Sequence, residues 1–240
     1  MENALIIGFG HIGQSTLKYL KDLNIWVKDQ EEVYRNIRTN EEEKDPSNIN
    51  ARYWIICVPG EKNGDIDTTL VEKYIDMAKE YGAEPIVRTT LPLYYGDTLP
   101  LYYGDDPVKN DFTYWPSFVT DNDNDEQRLV MSSRGYDNGF CKYVTDGIMF
   151  LSLYDAIVVK LFSNAYLAMR AEFFNKVADY SKNIPAVINA ICADRRIGNF
   201  YNYAERKRWG GKCFVKDMNN LAKYDKLMNE VNESNKKRGE

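Results

Sequence analysis

The sequence predicts an α/β protein: a doubly wound parallel sheet, followed by a helical region built on one long central helix. Three observations carry that prediction. A short apolar run near the N-terminus ends in a glycine-rich turn, apolar runs alternate with helical patterns through residue 152, and the stretch 155–180 contains neither proline nor glycine. Two domains are therefore expected, 1–152 and 153–240. At 240 residues and 44% hydrophobic content, the chain is long enough for a real core and too apolar for wholesale disorder.

Ala4-Leu5-Ile6-Ile7 reads as a buried strand, followed by Gly8-Phe9-Gly10-His11-Ile12-Gly13 and a helical pattern with Ile12, Leu17, Leu20 and Leu23 on one face. Glycines at this spacing permit a tight turn and close backbone approach to a pyrophosphate, the mark of a Rossmann-like dinucleotide-binding unit. A second strand, Ile25-Trp26-Val27, ends near Asp29. That carboxylate stands about 20 residues beyond the first glycine, where it would bind ribose hydroxyls and disfavour a 2′-phosphate, so NAD is expected over NADP. The polar stretch 41–46 reads as a solvated loop or a short helix.

Tyr53-Trp54-Ile55-Ile56-Cys57-Val58 is a buried strand stopped by Pro59-Gly60. Asp67 can cap a helix carrying Leu70, Val71, Tyr74, Ile75 and Ala78, which Gly82 ends. Pro85-Ile86-Val87-Arg88-Thr89 gives another strand. From Thr90 the chain reads T-L-P-L-Y-Y-G-D, and from Thr98 it repeats those eight letters. Two copies are too few for a repeat architecture. The second is expected to be an elongated loop of turn residues, although its Tyr-Tyr pair could instead cover a ligand.

The acidic run 121–126 starts like a calcium loop, but its sixth position is Glu126 instead of glycine and its twelfth is Ser132 instead of glutamate, which argues against calcium. Leu129-Val130-Met131 and Ile148-Met149-Phe150-Leu151 read as the last strands of the sheet. The helix of 155–180 is apolar on several faces. Pro185 suits the first turn of another helix ending near Cys192. Met218, Leu221, Ala222, Leu227 and Met228 outline a last helix, and 232–240 reads as a polar tail.

A net charge of −5 argues against a nucleic-acid partner, the one dense basic run being Arg206-Lys207-Arg208. No apolar segment approaches the roughly 20 residues that span a bilayer, and Met1-Glu2-Asn3 leads directly into a strand, so a cytoplasmic protein is expected. Cys57, Cys141, Cys192 and Cys213 are scattered, without the close pairs of a zinc site, so reduced thiols and no metal are expected. His11 is the sole histidine. Acid–base work therefore falls to carboxylates, lysines and water.

The segment richest in chemistry is Trp209-Gly210-Gly211-Lys212-Cys213-Phe214-Val215-Lys216-Asp217. Two glycines let the backbone approach a ligand closely. They deliver a cysteine among lysines, with a carboxylate four residues on. Positive charge favours a thiolate, the nucleophilic form of cysteine. A nucleophilic thiol in a chain that also carries a dinucleotide-binding turn points to oxidation through a covalent thioester.

In chain order, these pieces resemble the nucleotide-sugar 6-dehydrogenases, the UDP-glucose and GDP-mannose dehydrogenase family. Beside the glycine turn, Cys57-Val58-Pro59 resembles that family's V-C-V-P turn, Thr89-Thr90-Leu91-Pro92 its S-T-x-P and Pro116-Ser117-Phe118 its P-E-F. Lys160 to Tyr166 resembles K-x-x-x-N-x-(Y/F), Asp194-Arg195-Arg196-Ile197-Gly198 matches D-x-R-I-G, and 210–217 matches G-G-x-C-x-x-K-D.

The resemblance implies oxidation of the C6 alcohol of a nucleotide sugar, UDP-glucose above others, by two hydride transfers to NAD through a Cys213 thiohemiacetal and thioester. The implied catalytic set is Cys213 as nucleophile, Lys160 and Asn164 at the oxyanion, Asp217 and Thr90 at the catalytic waters. Gly8, Gly10, His11, Ile12, Gly13, Asp29, Val58, Pro59, Thr90, Asp121 and Lys216 are implied for the cofactor. Ser117, Phe118, Lys160, Asn164, Arg196, Tyr201 and Gly210 are implied for the substrate, with a homodimer through the central helix.

The chain departs from the pattern at Ser117 and Asp121, where relatives carry glutamates, at Ile157, where they carry a helix glutamate, and at Arg208, where they carry a glycine. Only 23 residues follow Asp217, so the C-terminal nucleotide-sugar-binding domain of the family is expected to be absent. A single-step β-hydroxyacid-type dehydrogenase and a non-catalytic NAD or nucleotide-sugar binding protein remain alternatives at this stage.

Overall fold

The computed structural model describes residues 1–95, 111–119, 128–200 and 207–239. In chain order the elements are β1 (Glu2–Ile7), α1 (His11–Thr16), β2 (Leu23–Lys28), β3 (Tyr34–Asn36), β4 (Glu42–Glu43), β5 (Tyr53–Ile56), β6 (Glu61–Lys62), β7 (Asp65–Ile66), α2 (Thr69–Glu80), β8 (Glu84–Val87), β9 (Thr113–Tyr114), β10 (Leu129–Ser132), α3 (Arg134–Asp137), β11 (Ile148–Leu151), α4 (Leu153–Tyr180), α5 (Ile184–Cys192), α6 (Lys212–Ala222) and α7 (Lys226–Lys236). They form two compact units. The first comprises Met1–Gly60 and Asp67–Lys160, the second Glu61–Ile66 and Leu161–Glu240.

The first unit holds a seven-stranded sheet in the order β4-β3-β2-β1-β5-β8-β9. Its five strands from β2 to β9 run parallel, with Ala4 opposite Ile25 and Tyr53, and Ile55 opposite Ile86. This is the doubly wound α/β arrangement the alternating pattern predicts. Strands buried on both faces must be apolar throughout, and Ala4 to Ile7 and Tyr53 to Ile56 are at most 2% exposed. The chain reverses strand order at β1, which places the glycine turn at the carboxyl end of β1, where such sheets bind ligands.

Four readings of the pattern are corrected. The first helix stops at Thr16 and continues as a single 3₁₀ turn, because Leu20 forms a bridge to Val144 and Leu23 already opens β2, where it is 2% exposed. The stretch 41–46 contributes β4, which pairs antiparallel to β3 and makes the sheet mixed at one edge. Its hairpin is held by Asn36, whose Oδ1 accepts from the Arg38 and Thr39 N–H groups and whose Nδ2 donates to Asn24. β10 and β11 pair parallel with each other in a separate two-stranded sheet. The Tyr114 N–H is taken by the Ser132 hydroxyl at 2.9 Å, so a side chain stands where a ladder carbonyl would extend the main sheet.

The fourth correction concerns the C-terminus, where two helices stand in place of one helix and a polar tail. Two polar residues of 232–240 are buried: Asn232 is 5% and Asn235 1% exposed. Arg238 donates to Glu172 at 2.9 Å and to Asp179 at 2.9 Å. Asp225 caps α7 through the Met228 N–H at 2.9 Å. Cys213 stands in the first turn of α6.

The second unit is helical apart from the β6–β7 hairpin. That hairpin lies on α6: Asn219 donates to the Gly64 carbonyl and Lys223 pairs with Asp65. Asn183 caps α5, with proline in its first turn as the sequence predicts. Phe174, Ile188 and Cys192 pack α4 against α5. α4 begins in the first unit, reaches the boundary at Lys160 and continues through the second.

Candidate active site

The glycine turn in the first unit is built by steric necessity. Gly8 takes φ +87°, and a Cβ there would lie 2.7 Å from the Cys57 carbonyl oxygen. A Cβ on Gly13 would lie 2.2 Å from the Gly8 oxygen, so α1 can start this close to β1 only with glycine at 13. Gly10 differs: nothing lies within 4 Å of the position its Cβ would take. The turn thus offers an open backbone surface at Gly10 with exposed His11 beside it, and half-buried Ile12 behind it. That cradle fits the pyrophosphate of a dinucleotide. Asp29 stands exposed just past the end of β2.

The end of β5 is joined to the end of β8 by Thr89, which the sequence places in a motif without a role of its own. Thr89 Oγ1 donates to the Val58 carbonyl at 2.7 Å, joining the Val58-Pro59 turn to the Thr90 segment. A Cβ on Gly60 would lie 2.3 Å from the Thr89 methyl, so the two turns are in tight contact. Thr90 is 9% exposed, Val58 is buried and Pro59 is exposed. Of the duplicated octapeptide, the first copy enters the core: Leu91 and Leu93 are buried, and Tyr95 packs edge-on to Phe112 at 5.7 Å. Burial pushes the Tyr95 phenol up to about 12. Thr98 and the rest of the second copy, Asp121 with its acidic run, Tyr201 and Arg206 lie outside the described residues.

Ser117, Phe118 and Lys160 come together in the first unit. Lys160, 8% exposed, donates to the Ser117 carbonyl at 2.6 Å, and its ammonium lies 5.3 Å from the Phe118 ring centroid. A buried cation is tolerated where a carbonyl and an aromatic face receive it. The acceptor at 117 is the backbone, so no carboxylate is needed there to hold the lysine.

In the second unit, Asn164, Asp217, Lys216 and Cys213 converge. Asn164 stands one helical turn beyond Lys160 on α4. Its Nδ2 donates to Asp217 Oδ2 at 2.6 Å, and the Lys216 ammonium donates to Asp217 Oδ1. Asp217 is fully buried and Lys216 8% exposed, so each charge is compensated at contact distance. Cys213 is exposed and lies four residues before Asp217 on α6, which puts thiol and carboxylate on one helix face. The first turn of a helix, with unpaired backbone N–H groups, favours an anion. Gly211 takes φ +88° as the residue before α6, and Gly210 is exposed with no atom within 4 Å of its Cβ position.

Arg196 is paired with Asp194 at 2.6 Å, and its side chain remains 89% exposed. The Arg196 guanidinium, then its backbone N–H, holds the Asp194 carboxyl below the usual carboxylate range. The loop before Cys213 is fixed by two residues that sequence reasoning missed. Asn175 donates to the Lys207 carbonyl, and Asn235 bonds Trp209. Neither belongs to a motif; the signal available was an asparagine on the apolar helix α4 and one on the amphipathic helix α7. Among the described residues no group of His, Cys, Asp and Glu could hold a metal.

Residues 154–237 match the family model described as UDP-glucose/GDP-mannose dehydrogenase family, central domain. The chain is 28% identical over 226 residues to the UDP-glucose 6-dehydrogenase of Streptococcus pneumoniae, covering 81% of this chain and 57% of that one. It is 44% identical over 78 residues to the UDP-glucose 6-dehydrogenase of Campylobacter jejuni, covering 31% of this chain and 20% of that one. The solved structure of a UDP-glucose dehydrogenase from Pyrobaculum islandicum shares the fold, with a TM-score of 0.72 at 16% identity over 99% of this chain and 68% of that one. The chain thus spans little more than half the length of the Streptococcus relative.

Proposed function

We propose that the chain is a nucleotide-sugar 6-dehydrogenase of the UDP-glucose/GDP-mannose dehydrogenase family that works through Cys213, a reading supported by the family match over residues 154–237 and by the relatives named above. The observation that carries this reading is the second-unit constellation. Asn164 bonds buried Asp217 at 2.6 Å, and Cys213 stands one turn from that carboxylate. Chemically, this is a nucleophile next to an oriented water-handling group and an amide donor.

When bound at the Gly8, Gly10 and Gly13 turn, with Asp29 at its ribose, NAD supplies the hydride acceptor for two successive oxidations. The protein's part is acyl chemistry. The Cys213 thiolate adds to C6 of the aldehyde: the C–S bond forms, and the carbonyl π pair moves to oxygen. Lys160 and Asn164, one turn apart on α4, donate to that developing charge. After hydride loss the C6–S bond is a thioester. Water oriented by Asp217 attacks its carbonyl, the C–S bond breaks, and the pair returns to sulfur. Per alcohol and one water the products are one carboxylate, two NADH and three protons.

UDP-glucose is the first substrate to test, with Ser117, Phe118, Arg196 and Gly210 at the sugar nucleotide. We place the reaction in the cytoplasm; no described helix is long and apolar enough to cross a membrane. We also propose a homodimer through α4, whose outer face exposes Phe162, Tyr166, Phe173 and Tyr180. A monomer by light scattering at micromolar concentration overturns that. The test of function is NADH release across UDP- and GDP-sugars. Two NADH per uronic acid and a dead Cys213→Ser variant are expected; one NADH per product with an active variant sinks the thioester route in favour of a single-step oxidation.

A further inference from the structure

Asn235 lies in the last turn of α7 and is 1% exposed. Its amide makes both bonds that one backbone residue can offer. Oδ1 accepts the Trp209 N–H at 2.8 Å, and Nδ2 donates to the Trp209 carbonyl at 3.0 Å. This copies one rung of a strand ladder with a side chain in place of the neighbouring strand. A carboxamide can do so because it carries donor and acceptor on one plane, whereas a carboxylate only accepts and an ammonium only donates.

Trp209 is itself 8% exposed, and three residues separate it from Cys213. Two of these are Gly210 and Gly211, which have open space where a Cβ would stand and restrict the path of the chain little. Something else must fix how the chain enters α6. Asn235 does this at Trp209, and Asn175 adds a bond to the Lys207 carbonyl at 2.8 Å.

The clamp is itself anchored on both sides. Asn232 on α7 donates to Asn219 of α6 at 2.8 Å. Ser234 and Arg238 bond Glu172 of α4 at 2.7 and 2.9 Å. Asn235 therefore holds the loop in register with α6, which carries Asp217, and with α4, which carries Asn164. A displacement of Trp209 would change where the chain enters α6, just before Cys213.

We propose that Asn235 is the positioning residue that sets the path of the nucleophile loop, and with it the direction in which the Cys213 thiol leaves the first turn of α6. This deepens the proposed function and rests on Cys213 as its nucleophile. The test uses Asn235→Leu, which keeps the volume and removes both bonds, and Asn235→Asp, which keeps the acceptor alone. Both are made in the full chain, and rates are normalised to folded protein. In Asn235→Leu, kcat falls about tenfold or more with little change in KM, amide exchange over 207–213 accelerates, and the Cys213 alkylation rate by iodoacetamide changes by about threefold or more. In Asn235→Asp, the Trp209 amide stays protected and kcat is intermediate.

Wild-type kcat in Asn235→Leu, or a kcat loss with unchanged exchange over 207–213, overturns the proposal. Should Asn235→Leu not fold, Asn235→Asp decides it alone, and wild-type kcat there overturns it. Should the wild type turn over no nucleotide sugar, the proposed function fails, while alkylation and exchange still decide the clamp: unchanged values in the variant overturn it.

Discussion

The same chemical change at two glycines separates folding from cofactor binding. Gly10→Ala adds a methyl where the free protein has nothing within 4 Å, at φ −75°, a backbone any residue adopts. Its effect on stability should stay within about 1 kcal/mol. If the pyrophosphate lies against Gly10, that methyl overpacks the complex by about 1–3 kcal/mol, which is roughly a 5- to 150-fold rise in Kd for NAD. Gly13→Ala does the reverse: its Cβ would lie 2.2 Å from the Gly8 oxygen. Essentially no real Cβ contact is below 3.0 Å, so β1 and α1 must move apart. A strain of about 1–3 kcal/mol lowers Tm by about 2–12 °C. Calorimetric titration with NAD and thermal melts of both variants give the four numbers. Gly10→Ala binding NAD at wild-type affinity would refute the placement of the cofactor.

Arg238→Ala removes one member of a pair whose side chains are 9% and 6% exposed. Leaving Glu172 with the Ser234 hydroxyl costs about 3 kcal/mol, read as a Tm lower by about 6–12 °C, and adding Glu172→Gln recovers part of it. Asp217→Asn keeps the shape of the Asn164 contact but removes the carboxylate; kcat falls about 100-fold or more, measured as NADH release, and a smaller loss would remove Asp217 from water activation. The Asp194 carboxyl, held low chiefly by the Arg196 guanidinium, contributes stability above the ordinary carboxylate pKa and loses it as pH falls through its lowered value. Carbon-13 titration should show that value rising in Arg196→Met while the backbone N–H retains part of the depression.

Legibility in the sequence followed the kind of force at work. Wherever an element is apolar, on one face as in α2 and α5 or throughout as in β1 and β5, the hydrophobic pattern located it. The glycine turn was legible because Gly8 and Gly13 are demanded by backbone contacts that tolerate no other residue. Period alone misled at Leu17, Leu20 and Leu23, which continue a helical spacing across a chain that has already turned at Asp22, where φ is +58°. The β3–β4 hairpin was hidden because Asn36 holds it through hydrogen bonds that leave no hydrophobic trace. The C-terminal segment failed for the same reason: Asn232, Asn235 and Arg238 look like a solvated tail, yet each is buried with a partner. Composition does not distinguish a polar residue facing water from one facing another polar residue.

The departure at Ser117 illustrates how a motif letter and a physical role can separate. Resemblance assigns a glutamate to that position, and its loss reads as the loss of a substrate-facing charge. In the fold, position 117 holds Lys160 through its carbonyl, and that contribution is independent of the side chain. The Ser117 hydroxyl accepts the Val119 N–H at 3.4 Å. Lys160 therefore keeps this acceptor whatever side chain stands at position 117. A backbone acceptor at 117 thus leaves the proposed oxyanion role of Lys160 untouched by the change from glutamate to serine, and the proposed water activation rests on Asp217, whose own charge is held by Asn164 and Lys216.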